Sequence, residues 1–130
     1  MLLVEDSPTD VFVIREVLGG CQVNFRVDVV KDGQQALRYL QDSGSCPALV
    51  LLDLNIPKVS GFEVLRELRA GSRCQRTPVI VVSSSRADED RSTAEQLGAN
   101  AYFQKPADLD SYTELGQVVE RVLGRTGIGF

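Results

Sequence analysis

Acidic residues follow two apolar segments of this sequence, where their side chains could carry out chemistry. Glu5 and Asp6 come directly after the first such segment, and Asp53 comes directly after the third. Carboxylates can bind metal ions, transfer protons and, as nucleophiles, form an acyl phosphate. Ser83 comes directly after the fourth segment and Lys105 comes two residues after the fifth, and they would add a hydroxyl group and a positive charge.

The composition limits the chemistry that these residues could perform. The chain contains no histidine, which excludes histidine-based catalytic triads, imidazole zinc sites and a phosphohistidine on the chain itself. The net charge of −4 disfavours nonspecific binding to nucleic acid or to an anionic membrane. Carboxylates, hydroxyl groups, lysine and a bound metal are therefore the available chemical groups.

The elements that position these residues alternate between two kinds of pattern. Apolar runs typical of strands lie at Met1–Val4, Phe25–Val30, Ala48–Leu52, Val79–Val82 and Ala101–Phe103. Each run precedes a segment with helical spacing, and the first four helices have capping motifs beginning at Ser7, Asp32, Ser60 and Ser85. This alternation predicts an α/β fold with a doubly wound, five-stranded parallel sheet.

The hydrophobic pattern also predicts the strand order. The third and fourth strands are apolar on both faces and should be central, whereas the second alternates with polar residues and should lie at an edge. The order 2-1-3-4-5 fits this pattern and has its switch point between strands 1 and 3. Ligands bind beyond the carboxyl ends of the strands at such a point, so we expect one crevice there.

The three carboxylates in this crevice would repel one another unless a cation joined them. Two of them ~4 Å apart would cost about 4 kcal/mol at an effective dielectric near 20. Oxygen ligands suit Mg²⁺ or Mn²⁺ and disfavour zinc. The predicted ligands are Glu5, Asp6, Asp53 and a backbone carbonyl such as that of Asn55.

The same crevice has the groups needed for phosphoryl transfer. Asp53 could accept the phosphoryl group as a nucleophile. The metal, the ammonium of Lys105 and the hydroxyl of Ser83 could each neutralise a phosphoryl oxygen.

Four segments of the sequence resemble the receiver domains of two-component response regulators, the CheY-like proteins. They are Leu2-Leu3-Val4-Glu5-Asp6-Ser7, Leu51-Leu52-Asp53-Leu54-Asn55-Ile56-Pro57 with Ser60-Gly61-Phe62-Glu63, Val82-Ser83-Ser84, and Ala101-Tyr102-Phe103-Gln104-Lys105-Pro106. The resemblance covers residues 1–123, which we expect to form the domain, with 124–130 as a disordered tail. It implies a flavodoxin-like (βα)5 fold.

The resemblance also implies roles for individual residues. Asp53 would accept phosphate from a sensor histidine kinase or phosphotransfer protein, with Lys105 contacting the phosphate and Pro106 in a cis peptide bond. Ser83 and Tyr102 would be the switch residues, and Tyr102 would turn inward when Ser83 moves. The protein would act as a phosphoacceptor switch and not as a classical enzyme.

A looser similarity concerns the subfamily. Segments Glu5 to Asp10, Asn55 to Lys58 and Ser83 to Asp90 are similar to small regulators that partner bacterial phytochromes. This similarity implies a light-sensing kinase as the partner.

The helix predicted over Arg86–Leu97 has little to bury, namely Ala87, Ala94 and Leu97. A weakly held helix beside Ser83 and Tyr102 could respond to the charge that phosphorylation adds. We therefore expect strand 4, this helix and strand 5 to form the face that downstream proteins bind. A homodimer through this face stays an open alternative.

The remaining expectations concern location and covalent structure. Cys21, Cys46 and Cys74 lie far apart without a CxxC pair, which indicates free thiols of a cytoplasmic protein. We also expect no signal peptide and no output domain after residue 123.

Three other functions share part of this pattern. A phosphatase of the haloacid-dehalogenase type uses similar groups, but its nucleophile follows the first strand. A degenerate receiver would bind partners without phosphate. A flavin-binding module has the same topology, but three acids would repel its phosphate.

Overall fold

Residues 1–20, 26–42, 44–71 and 73–124 are described by a computed structural model. Strands and helices alternate along these residues as predicted. The elements are β1 (Leu2–Val4), α1 (Pro8–Gly19), β2 (Asp28–Val30), α2 (Gly33–Asp42), β3 (Val50–Leu52), α3 (Gly61–Ala70), β4 (Val79–Ser83), α4 (Asp88–Gln96), β5 (Ala101–Gln104) and α5 (Glu114–Leu123), with a 3-10 turn at Asp110–Thr113 before α5.

The strands form one parallel sheet in the order β2-β1-β3-β4-β5, which confirms the predicted fold and strand order. Strands β1, β3 and β4 are buried throughout, as their apolar sequences require. Two hydrophobic clusters lie on the two faces of the sheet, one packed against α2 and α3 and the other against α1 and α5. The carboxyl ends of all five strands therefore meet at one edge.

Side chains cap three of the helices where the sequence predicts it. The Oγ atoms of Ser7 and Ser60 accept hydrogen bonds from the third helical residue at 3.3 Å each. The carboxylate of Asp32 accepts one from the Gln35 N–H at 2.7 Å. These bonds satisfy backbone donors that have no partner inside the helix.

Helix α4 begins later than predicted. Its N-cap is Ala87, which provides no capping side chain and is exposed rather than buried. The Ser85 hydroxyl instead accepts from the Ala87 N–H at 3.2 Å and donates to the Asp90 carboxylate at 2.6 Å. Because Ala94 is the only fully buried residue of α4, the helix is weakly anchored, as expected.

The prediction that the cysteines are free thiols is wrong for two of them. Cys46 and Cys74 form a disulfide although 28 residues separate them. The α2–β3 and α3–β4 connections both lie at the amino end of the sheet, which brings the two Cα atoms within 5.7 Å. That proximity comes from the fold and cannot be seen in the cysteine spacing. Cys21 lies outside the described residues.

Helix α5 ends at Leu123, and the predicted tail beyond Gly124 lies outside the described residues. In the part of the chain that the structure describes, no helix has the length and apolar content needed to cross a membrane.

Candidate metal and phosphoryl site

The predicted acids meet at the carboxyl edge of the sheet. Val4 pairs with Leu52, so the next residues, Glu5 and Asp53, lie side by side, and the Asp53 N–H donates to the Val4 carbonyl at 3.1 Å. One carboxylate oxygen from each of Glu5, Asp6 and Asp53 lies within 4.8 Å of the others. Glu5 and Asp53 are buried and Asp6 is exposed. The parallel register thus gathers three acids that are distant in sequence.

The side chain of Lys105 reaches into the same cluster from the end of β5. Its Nζ donates hydrogen bonds to Glu5 Oε1 at 2.7 Å and to Asp53 Oδ2 at 3.1 Å. The backbone N–H of Lys105 donates to the Ser83 carbonyl at 2.7 Å, which fixes the start of its stem. Lys105 therefore lies where sequence analysis placed it.

The expected cis bond before Pro106 is not present. None of the described peptide bonds is cis, so Lys105 and Pro106 are joined in trans. Trans is favoured by about 0.5–1 kcal/mol before proline, and the trans chain still brings Lys105 Nζ to Asp53.

Burial and the contacts between these charged groups shift the pKa values of Glu5 and Lys105. Burial raises the pKa of Glu5 to about 7, and the neighbouring Asp53 adds to this, while Lys105 acts in the opposite direction. Burial alone would lower the pKa of Lys105, but its hydrogen bonds to Glu5 and Asp10 outweigh this effect and hold that pKa above its usual value. Lys105 therefore stays charged, whereas Glu5 takes up a proton at a higher pH than an exposed glutamate does.

The backbone around Asp53 is fixed by two close contacts. The Asn55 N–H donates to Asp53 Oδ1 at 3.0 Å, which orients the carboxylate. Gly61, at the start of α3, lies so close that a Cβ there would be 2.5 Å from the Asp53 carbonyl oxygen and 2.7 Å from the Leu54 Cα. Only glycine fits this approach without a shift of the backbone that carries Asp53.

Ser83 and Tyr102, the predicted switch residues, are both buried and are linked through Ser85. The Oγ of Ser83 accepts a hydrogen bond from the Ser85 N–H at 3.1 Å. The ring of Tyr102 lies under the guanidinium of Arg91, 5.0 Å from the ring centroid. Tyr102 is 5% exposed, and its hydroxyl donates a hydrogen bond to the Ser85 carbonyl at 3.1 Å.

Two residues of this site were given no role there from the sequence. Asp10 appeared only in the α1 capping motif and in the segment that resembles phytochrome-partner regulators, and Tyr112 was not singled out. Asp10 Oδ2 accepts from Lys105 Nζ at 2.9 Å, and Asp10 Oδ1 accepts from the Tyr112 hydroxyl at 3.2 Å. The position of Asp10 one turn after Glu5-Asp6 was the signal available for it, whereas nothing in the sequence indicated Tyr112.

The donor set fits a hard divalent cation. The acids supply only oxygen, and two of them are buried where charge repulsion is weakly screened. Glu5, Asp6 and Asp53 would hold such an ion, and it would neutralise charge on an incoming phosphoryl group.

The parallel sheet and the three acids and one lysine at the ends of its strands together indicate the class of protein to which this chain belongs. Residues 1–116 match the response regulator receiver domain family, and the chain belongs to that family. It is thus a receiver domain of the kind found in two-component signalling.

Three relatives show what the chain is similar to. Response regulator Rcp1 of Synechocystis sp. is 34% identical over 125 residues, covering 92% of this chain and 85% of Rcp1. The Mn²⁺-bound structure of Rcp1 superposes with a TM-score of 0.84 over 92% of this chain and 90% of that one.

The phosphorylated cyanobacterial phytochrome response regulator RcpA is 36% identical, with a TM-score of 0.85 and coverage of 94% of this chain and 91% of its own. The receiver domain of the sensor histidine kinase PA1611 from Pseudomonas aeruginosa PAO1, with magnesium in its active-site cleft, is 32% identical. Its TM-score is 0.78, with coverage of 95% of this chain and 96% of its own. The similarity to phytochrome response regulators agrees with the subfamily resemblance in the sequence.

Proposed function

We propose that this receiver domain is a divalent-metal-dependent switch that accepts a phosphoryl group on Asp53. The observation that carries the proposal is the convergence on Asp53 of a partly buried ammonium at 3.1 Å and of two further acids whose oxygens lie within 4.8 Å. The domain would comprise residues 1–123.

The chemistry requires little beyond alignment and charge neutralisation. An Asp53 carboxylate oxygen would attack phosphorus, and the bond from phosphorus to the donor's imidazole nitrogen would break, leaving its electron pair on the donor. Lys105 would neutralise one phosphoryl oxygen, and the Ser83 hydroxyl would donate to another after breaking its contact with Ser85. The metal, Mg²⁺ or Mn²⁺ as in the relatives' structures, would be held by Glu5, Asp6, Asp53 and the Asn55 carbonyl.

The consequence of phosphorylation would be a change of the α4 face. Ser83 accepts from Ser85, and Ser85 in turn accepts from Tyr102 and donates to Asp90 in α4. Withdrawal of Ser83 toward the phosphoryl group would disturb these contacts at the start of a weakly anchored helix. The surface of β4, α4 and β5 would then present a different face to a downstream protein.

The donor would be a sensor histidine kinase or a phosphotransfer protein. The similarity to RcpA and Rcp1 favours a phytochrome-type kinase as that partner. The domain would turn over no external substrate apart from phosphodonors and its own acyl phosphate.

Mass spectrometry of the intact protein after acetyl phosphate and Mg²⁺ tests the proposal. We expect one phosphoryl group on the wild type in the presence of Mg²⁺. No phosphoryl group should be added when EDTA is present during the reaction, and none should be added to Asp53→Asn. Absence of labelling on the wild type would favour a degenerate receiver that binds partners without phosphate. Sustained hydrolysis of a small phosphomonoester would instead favour a phosphatase.

A further inference from the structure

Asp10 is a third acidic partner of the site lysine, and it comes from a helix rather than from a strand end. Its Oδ2 lies 2.9 Å from Lys105 Nζ, between the distances from that nitrogen to Glu5 and to Asp53. The three ammonium protons of Lys105 therefore have three carboxylate acceptors. Asp10 takes as direct a part in holding Lys105 as the two predicted acids do.

Asp10 differs from the other two acceptors because it is not part of the metal-type cluster. Within the described ranges, the acids whose oxygens lie within 4.8 Å of one another are Glu5, Asp6 and Asp53. A cation bound there would draw on the charge of Glu5 and Asp53, and phosphorylation would make one Asp53 oxygen the bridging oxygen of an acyl phosphate. Asp10, which lies outside the cluster, would remain available as an acceptor for Lys105 throughout the reaction.

Asp10 is itself held firmly on two sides. Its backbone N–H donates to the Ser7 Oγ in the first turn of α1, and its Oδ1 accepts from the Tyr112 hydroxyl at 3.2 Å. Tyr112 is 4% exposed, and its ring packs against Phe103 of β5 with centroids 5.9 Å apart. The tyrosine thus links the 3-10 turn before α5 to the carboxylate that anchors Lys105.

We propose that Asp10, oriented by Tyr112, is a positioning residue for the Lys105 ammonium. It keeps the ammonium in the crevice when Glu5 and Asp53 interact with the metal and the phosphoryl group instead. This inference rests on the proposed phosphorylation of Asp53. The lysine side chain is a flexible four-carbon stem. An ammonium that loses two of its three acceptors would therefore occupy several positions unless the third acceptor held it. An anchored ammonium instead pivots from Asp53 to a phosphoryl oxygen without leaving the site.

The rate of phosphorylation by acetyl phosphate at saturating Mg²⁺ measures this effect. We expect Asp10→Asn to slow phosphorylation about tenfold, the scale of one hydrogen bond between charged groups. Tyr112→Phe, which removes one oxygen and keeps the ring, should slow it about threefold through a less ordered Asp10. Asp42→Asn, the same change at an exposed position on α2, should leave the rate unchanged.

Two further measurements separate positioning from a structural role. In a Lys105→Met background, Asp10→Asn should have no additional effect on the rate, because Asp10 acts through the ammonium. The Lys105 ammonium resonance in ¹H–¹⁵N spectra should shift in Asp10→Asn and in Tyr112→Phe, but not in Asp42→Asn.

The inference is overturned if Asp10→Asn phosphorylates as fast as the wild type or faster, or if it slows the Lys105→Met background equally. An unshifted ammonium resonance in Tyr112→Phe, which should fold normally, also overturns it. Failure of the wild type to label at Asp53 would instead reject the proposed function, so the two failures are distinguishable.

Discussion

The hydroxyl group of Tyr102 donates a hydrogen bond of 3.1 Å to the backbone carbonyl of Ser85. Because the N–H of Ser85 also contacts the Ser83 hydroxyl, one residue of the β4–α4 loop touches both predicted switch residues. We therefore expect a movement of Ser83 or of Tyr102 to change the position of Ser85 and the start of α4.

Removing the Tyr102 hydroxyl should loosen that loop. We expect Tyr102→Phe to lower the free energy of unfolding by about 1 kcal/mol, because the Ser85 carbonyl loses a donor. Hydrogen exchange in the segment 84–97 should become faster, as measured by mass spectrometry. Tyr39→Phe, which loses a hydrogen bond to Asp28 in β2 at the other edge of the sheet, is the matched control and should leave exchange in 84–97 unchanged.

The stability of the metal-free protein should depend on pH through Glu5. Its pKa is about 7 in the folded protein and 4.5 without the fold. Between these values the folded state binds more protons than the unfolded state, so the contribution of Glu5 to stability is present below pH 4.5 and is lost as the pH rises through 7.

Denaturant unfolding in EDTA across this pH range checks the prediction. Glu5→Gln should remove this part of the pH dependence, and saturating Mg²⁺ should reduce it in the wild type because the cation binds the ionised carboxylate. Identical pH profiles for the wild type and Glu5→Gln in EDTA would show that the pKa of Glu5 is not raised.

Gly61 should tolerate no side chain. A Cβ there would be 2.5 Å from the Asp53 carbonyl oxygen, so Gly61→Ala must displace the backbone that carries Asp53. We expect a loss of about 1–3 kcal/mol in the free energy of unfolding and slower labelling of Asp53 by acetyl phosphate. Gly44→Ala, where a Cβ meets nothing within 4 Å, should change neither quantity. Wild-type labelling in Gly61→Ala would contradict the prediction.

The disulfide should stabilise the fold without affecting the site. The Cys46–Cys74 bond closes a loop over a sequence separation of 28, so its reduction should lower the free energy of unfolding by about 3–4 kcal/mol. Because the bond lies at the amino end of the sheet, labelling of Asp53 should be unchanged. Unfolding with and without a thiol reductant measures the first effect. Cys46→Ser should show the lower stability in both conditions, and a reductant effect that persists in this variant would count against the bond.

The sequence was sufficient to predict the fold and the cluster at the strand ends, for a physical reason. A parallel sheet places the residue after each strand at one edge, so apolar runs followed by Glu5, Asp53 or Lys105 define the cluster without coordinates. The strand order followed from which runs are apolar on both faces.

The predictions that are wrong or incomplete have other causes. The contact between Asp10 and Tyr112 spans 102 residues, and the disulfide joins two loops at the far end of the sheet, so both depend on packing that no local pattern encodes. The start of α4 was misplaced because Ser85 bonds to the loop and to Asp90 instead of capping the helix. The isomer of the bond before Pro106 was inferred by analogy alone.

The contact of one ammonium with three carboxylates has a consequence for the speed of metal loading. Lys105 already serves as a counter-ion that keeps the acids gathered. An arriving cation would therefore meet carboxylates whose positions are already set. We expect the loading rate to follow the release of water from the ion, and Mn²⁺, which sheds water readily, to load faster than Mg²⁺.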